Sequence, residues 1–371
     1  MKERNALLRL RDLGQSVWYD YIRRDLYSGD ELRRLIREDG LAGMTSNPTI
    51  FQKAIADTEL YDDAVRSAGG EEKDASAVFE SLAVEDVRAA ADVFRSVFDE
   101  TGGNDGFVSI EVGPHLANDT EGSIREAERL WEKCSRDNVM VKIPGTAAGI
   151  PAIRRCIASG ININITLLFS VSRYREVMEA YLSALEERVA AGKPIDRLRS
   201  VASFFVSRVD TNVDKKLDRI GTDEARGLRG KAAIANARLA YVAFREVFGS
   251  DRFTRLAKSG ASIQRPLWAS TSTKDPSYPE LYYVEALVAP DSVDTMPPET
   301  FVAYRDHGEP KVRISDDLEG ARETFRRLAA LGIDEATVSR ELEEEGVKKF
   351  SDSYDSLLKA IAEKEKAMRV A

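Results

Sequence analysis

Ile161-Asn162-Ile163-Asn164-Ile165-Thr166 reads ININIT, an unbroken alternation of isoleucine with small polar residues. Successive side chains of a strand leave on opposite faces. The isoleucines therefore share one face, and Asn162, Asn164 and Thr166 the other. Such a strand suits a sheet covered by helices outside and closed around a polar interior. Val139-Met140-Val141-Lys142-Ile143-Pro144 obeys the same rule: Val139, Val141 and Ile143 lie on the helix side and Lys142 inside. A buried ammonium is costly unless paired or neutralised. A closed barrel has no edge for a lysine to guard, so Lys142 reads as an amine wanted in a dry place.

Working outward, further strands are expected at 15–20, 41–46, 107–112, 200–206, 262–268 and 281–288, beside 139–143 and 161–166. Between them lie stretches with apolar residues at helical spacing, among them 75–99, 123–137, 170–191 and 224–248. Ser123 and Glu126 have the spacing of a capping box at the start of the second. Eight strands alternating with helices point to an α/β protein, a single (β/α)8 TIM barrel with extra N- and C-terminal helices. The competing topology, an open doubly wound sheet, lacks a G-x-G-x-x-G after the first strand. The expectation is one barrel domain over 1–371, with a charged helical segment at about 317–371 wrapping it.

Composition narrows the function. The chain has 371 residues, and 54 basic against 63 acidic side chains give a net charge of −9. That balance argues against a general nucleic-acid surface and leaves any anion to a few local cations. Two cysteines, Cys134 and Cys156, make no disulfide framework and suggest a reducing cytoplasm. No signal-peptide core and no apolar run of transmembrane length is present, so no membrane association is expected. Only two histidines, His115 and His307, disfavour a histidine-built metal site or a Ser-His-Asp triad. No metal and no cofactor is expected.

The polar residues on the inward faces carry the chemistry. Alternation places Ser109 and Glu111 inside, groups Trp18 with Asp20 and groups Thr45 with Asn47. All fall late in their strands, towards the face where barrels hold their sites. A lysine of ordinary basicity is neutral in about one molecule in 2,500 at pH 7, and a dry site raises that share. A neutral amine attacks a ketone, water leaves, and the resulting iminium is an electron sink for breaking a neighbouring C–C bond. Asp20 and Glu111 can move the protons. Ser203 and Arg208 follow the sixth strand, and Ser262, Gln264 and Arg265 lie around the seventh. Hydroxyls with an arginine fork suit a phosphate, which barrels often hold on their late loops.

These residues together resemble the transaldolase family, the lysine Schiff-base enzymes of the pentose phosphate pathway. The likeness runs over about 12–310. It rests on GMTSNPTIF (43–51), VSIEV (108–112), VMVKIPGTAAGI (139–150), GININITLLFS (160–170) and SFFVSRVD (203–210), in the family's order. The resemblance implies that Lys142 forms the Schiff base and that Asp20 is the acid/base. It implies that Glu111 with Thr166 holds a water, and that Thr45, Asn47 and Asn164 hold the dihydroxyacetone unit. Ser203 and Arg208 would contact phosphate. The family's second phosphate arginine stands two residues after a serine in G-A-S-x-R. Here GASIQR has Gln264 in that place and Arg265 next, so either the strand shifts by one or Gln264 shares the task.

The implied reaction moves a dihydroxyacetone unit between phosphorylated ketose and aldose substrates; a homodimer is one assembly such a protein could form. A fructose-6-phosphate aldolase is the alternative, although those relatives carry a tyrosine where this chain has Phe205. A non-catalytic sugar-phosphate-binding protein would have no need of Lys142, Asp20 and Glu111 together.

Overall fold

The computed structural model describes residues 5–68 and 74–370. Met1–Arg4 of the charged N-terminal stretch and Ala371 of the expected tail lie outside them. Eight parallel strands close a barrel in sequence order: β1 Gln15–Asp20, β2 Gly43–Thr45, β3 Phe107–Glu111, β4 Val139–Pro144, β5 Ile163–Leu168, β6 Ser200–Phe205, β7 Arg265–Ala269 and β8 Ser292–Met296. Closure is by β1 on β8, with Ser16 opposite Val293 and Trp18 opposite Thr295.

The alternation works as expected. Val139, Val141, Ile143, Ile163 and Ile165 are fully buried between the sheet and the helices Thr120–Cys134 and Gly149–Ser159. Each contributes about 1.5–3 kcal/mol of hydrophobic burial. On β1, Tyr19 faces outward and meets Phe301 edge-on at 5.2 Å. Trp18 turns inward and fills the lower barrel, where its Nε1 donates to Asp105 at 3.1 Å. Gly43 makes room for it: a Cβ at 43 would fall 2.6 Å from the indole ring.

Three expectations need correction. The segment 281–288 is not a strand but contains the helix Tyr282–Ala286, and the eighth strand is Ser292–Met296. Ser-Val-Asp-Thr-Met looks too polar for a buried strand. Its polar groups find partners outside the strand: Ser292 in Gln15 at 3.0 Å and the Ala289 carbonyl at 2.6 Å, Asp294 in Thr271 at 2.9 Å and Thr295 in Thr45 at 2.7 Å. The seventh strand starts at Arg265, later than expected. Lastly, Ser123 and Glu126 form no capping box. The helix Thr120–Cys134 is capped by Asp119, which accepts from Gly122 N at 2.9 Å. Ser123 donates to Leu116 O and Glu126 accepts from Gly113 N.

The charged tail forms two helices, Leu318–Ala330 and Glu335–Val370. The second packs on the helix Pro48–Ala56 and is tied down by Ser353 to Thr49 at 2.8 Å and by Lys364 to Asp62 at 2.5 Å. Among the described residues no helix is long and apolar enough to cross a membrane. Cys134 and Cys156 are free and buried.

Candidate active site

A cavity of about 160 Å³ opens at the C-terminal face of the barrel, lined by Asp20, Thr45, Asn47, Lys142, Thr166, Ser203 and Arg208 among others. Strand register builds its floor. Glu111 on β3, Lys142 on β4 and Asn164 on β5 are consecutive register partners, and Asp20 on β1 pairs with Thr45 on β2.

Lys142 is 5% exposed. Its Nζ donates to Glu111 Oε2 at 3.1 Å and to the Ser46 carbonyl at 2.9 Å. Burial raises the pKa of Glu111, opposed by the Lys142 charge and its hydrogen bond, while Asp20 adds a smaller upward push. Asp20 is also raised by burial, against Lys142, the Thr45 hydrogen bond and Arg208. Thr45 donates to Asp20 Oδ1 at 2.7 Å. Both carboxyls are therefore easier to protonate than ordinary ones, as proton-transfer groups need to be. Glu111 Oε1 and Thr166 Oγ1 are buried without a hydrogen-bond partner among the described residues, so each can serve a small polar guest.

Below the lysine, Ser203 donates to Asn164 Oδ1 at 2.7 Å and Asn164 Nδ2 donates to Ser109 Oγ at 3.0 Å. This belt fixes the amide without leaving a buried polar atom of Asn164 unmet. Asn47 caps the helix Pro48–Ala56 by accepting from Ile50 N at 3.1 Å. Asn162 lies at the opposite end of the barrel, where it accepts from Arg199 N and donates to Asp137 O.

Two strand ends are strained. Leu167, just after Thr166, has φ 59°, and Ser270, just after β7, has φ 57°. Left-handed conformation costs a non-glycine residue about 1 kcal/mol, and such strain gathers at functional sites. At Leu167 it accompanies a register shift between β5 and β6. At Ser270 the turn joins the sixth and seventh loops, since Ser270 O accepts from Ser207 N and the two hydroxyls lie 2.9 Å apart.

The seventh-strand expectation is overturned. Arg265 begins β7 and so points to the N-terminal end, bonding Asp105 at 2.9 Å and Ser16 Oγ at 2.8 Å. Gln264 is buried, donating to Ser200 Oγ at 2.9 Å. The Ser262 carbonyl accepts from Tyr181. None of the three lines the mouth, because the strand rises away from them. The residues that do are Ser270, Ser272 and Lys274, with Lys274 Nζ on Ser272 Oγ at 2.6 Å. The signal was present in the cation that follows the apolar run RPLWA, once that run is taken as the strand. Ser46, Thr295 and Phe350 were also missed. Ser46 acts through its carbonyl, and Phe350 comes from the distant tail.

A sequence profile of the family Transaldolase/Fructose-6-phosphate aldolase matches residues 17–361. The chain is 48% identical over 361 residues to the transaldolase of Mycolicibacterium smegmatis, covering 97% of each. It is 47% identical over 360 residues to the transaldolase of Frankia alni, again covering 97% of each. To transaldolase 1 of Streptomyces coelicolor it is 48% identical over 357 residues, or 96% of this chain and 94% of that one. The chain belongs to the transaldolase/fructose-6-phosphate aldolase family.

Proposed function

We propose that this member of the family is a transaldolase working through a Schiff base on Lys142. The observation that carries the reading is the buried Lys142–Glu111 contact of 3.1 Å at the floor of a cavity that Asp20 also lines.

The Lys142 amine adds to the C2 carbonyl of a ketose phosphate such as sedoheptulose 7-phosphate or fructose 6-phosphate. Glu111 and Thr166 hold and protonate the hydroxyl that departs as water, leaving an iminium. Asp20 takes the C4 hydroxyl proton as the C3–C4 bond breaks. The electron pair moves into the iminium, an aldose phosphate leaves, and an enamine of dihydroxyacetone stays on Lys142. Glyceraldehyde 3-phosphate or erythrose 4-phosphate then enters, the enamine attacks its aldehyde carbon, and Asp20 returns the proton. Water adds back and releases the new ketose. Thr45, Asn47 and Asn164 orient the three-carbon unit, and Ser203, which lines the same cavity, steadies Asn164 by donating to its Oδ1 at 2.7 Å.

Arg208 is the phosphate contact. Among the described residues it forms no ion pair or hydrogen bond, and burial lowers its pKa against the pull of Glu345 and Asp20. A substrate dianion would relieve that cost. Lys274, Ser270 and Ser272 complete the phosphate end in the place expected of Gln264 and Arg265. Phe205 is 7% exposed and presents an apolar ring to the mouth, which disfavours a hydrolytic water and so favours transfer over release of free dihydroxyacetone. The reading implies pentose phosphate metabolism in a cytoplasm, with the whole chain acting as one barrel unit.

The test is incubation with fructose 6-phosphate, borohydride reduction and peptide mass spectrometry. A three-carbon adduct on Lys142, absent from Lys142→Ala, is expected. A label elsewhere, or an unlabelled protein that still turns over, would sink the assignment. Adding erythrose 4-phosphate should yield a seven-carbon ketose faster than free dihydroxyacetone appears.

A further inference from the structure

The helix Glu335–Val370 reaches the mouth near its middle. Gly346 is buried there, and a Cβ at that position would stand 2.9 Å from Leu167 Cδ2 and 3.6 Å from Arg208 Nη1. Glycine is a poor helix former, so its place inside a long helix marks a close crossing. One turn later Phe350 is 4% exposed and lines the cavity. The Arg208 guanidinium carbon lies 5.2 Å from the Phe205 ring centroid and 5.9 Å from that of Phe350. The unpaired cation is thus held between one ring from the barrel and one from the tail.

Next to Phe350, the exposed Lys349 makes no ion pair or hydrogen bond among the described residues. Partial desolvation of its side chain, with the Arg208 and Lys274 cations and a smaller push from Lys53, lowers its pKa against Glu345. Lys53 also lacks a carboxylate within ion-pair distance among the described residues, and Lys274 meets only a hydroxyl. Arg208 and Lys274 line the cavity together with the carboxylates of Asp20 and Glu299. Lys349, beside the lining residue Phe350, adds a further cation opposed by Glu345, so the rim can attract an anion.

We infer that the C-terminal helix is part of the substrate site, with Phe350 holding Arg208 in place and Lys349 adding a charge to the grip on the substrate phosphate. The inference rests on the transaldolase reading of the mouth. Phe350 is a positioning residue: its ring restrains a long side chain that binding would otherwise have to order. Lys349 is a binding residue. Neither reaches the bonds that change, so both act on phosphate affinity and leave the chemistry on Lys142 alone.

The experiment uses the full chain and the variants Phe350→Leu, Phe350→Tyr and Lys349→Gln. It measures KM and kcat for fructose 6-phosphate with erythrose 4-phosphate as acceptor. The dissociation constant of inorganic phosphate is read separately by phosphorus NMR, which needs no turnover. Phe350→Leu and Lys349→Gln should each weaken KM and phosphate binding in parallel, by about three- to tenfold, with kcat held within about twofold. Phe350→Tyr should restore both constants, and Lys349→Gln should flatten the salt dependence of KM. Unchanged phosphate binding in Lys349→Gln, whose exposed site tolerates substitution, overturns the inference. So does a loss of kcat at constant phosphate affinity, or a tyrosine variant as weak as the leucine one. Absence of a Lys142 adduct in the unmodified chain would instead defeat the reaction reading, and the NMR constants would still decide the role of the tail.

Discussion

Lys142 Nζ and Glu111 Oε2 face each other at 3.1 Å from register-paired positions on adjacent strands, both side chains only 6% exposed. Strand pairing, not a flexible loop, sets their separation. The Ser46 carbonyl supplies the second acceptor, so the amine is oriented from two sides. Glu111 keeps its other oxygen unpartnered. One carboxylate can therefore steady the lysine and still handle a water.

Glu111→Gln keeps the size of the side chain and removes its proton. Imine formation should slow by about 100-fold, measured as the rate of borohydride-trapped adduct after rapid mixing. Trapping at the unmodified rate would remove Glu111 from the water step.

Asp20→Asn separates imine formation from bond cleavage. The Lys142 adduct with fructose 6-phosphate should still form, while turnover falls by about 10²–10⁴ and KM stays within about threefold. Loss of the adduct together with turnover would show that Asp20 is needed earlier.

The Asp20 carboxyl must be ionised to accept a proton, and burial raises its pKa. The acid limb of kcat/KM should therefore lie above the ordinary aspartate value of about 3.9. Thr45 donates to this carboxylate and favours its charged form. Thr45→Val removes that support, so the limb should move to higher pH. A limb that stays put or moves down contradicts the assignment of the titration to Asp20.

Asp294 lies fully buried on the outer side of β8, and burial lifts its pKa to about 7, opposed by the Thr271 hydrogen bond. The folded chain thus holds a proton there that the unfolded chain loses near pH 4. Stability from this group is present at low pH, falls as pH rises from about 4 to 7, and is flat above. Asp294→Asn has no such loss. Between pH 5 and 8 it should gain about 2–3 kcal/mol relative to the unmodified chain, read as a difference in denaturation midpoint that widens with pH. A constant difference would mean that Asp294 does not titrate in that window.

Much of the site was legible because side-chain alternation survives in any strand. ININIT and VMVKI declare their two faces whatever the neighbours are, and so locate Lys142, Asn164 and Thr166. GASIQR misled for the opposite reason. Its residues have plausible chemistry, but their meaning depends on where β7 begins, and backbone pairing with β6 decides that: Val201 opposes Arg265. A start at 265 sends the arginine to the far end of the barrel and the Ser270–Lys274 loop to the mouth.

The sequence by itself determined the periodicities: alternating strands, helical spacing between them, and an interior of carboxylates, amides and one lysine. These are local, set by two residues per strand repeat and 3.6 per helical turn. The tertiary structure alone decided closure through Ser292–Met296, whose polar groups meet Gln15 and Thr45 from the far end of the chain and Thr271 from the loop after β7. It alone brought Phe350 over Arg208, 142 positions away in sequence (350 − 208). Contacts between distant segments leave no period in the chain, because packing in three dimensions selects them.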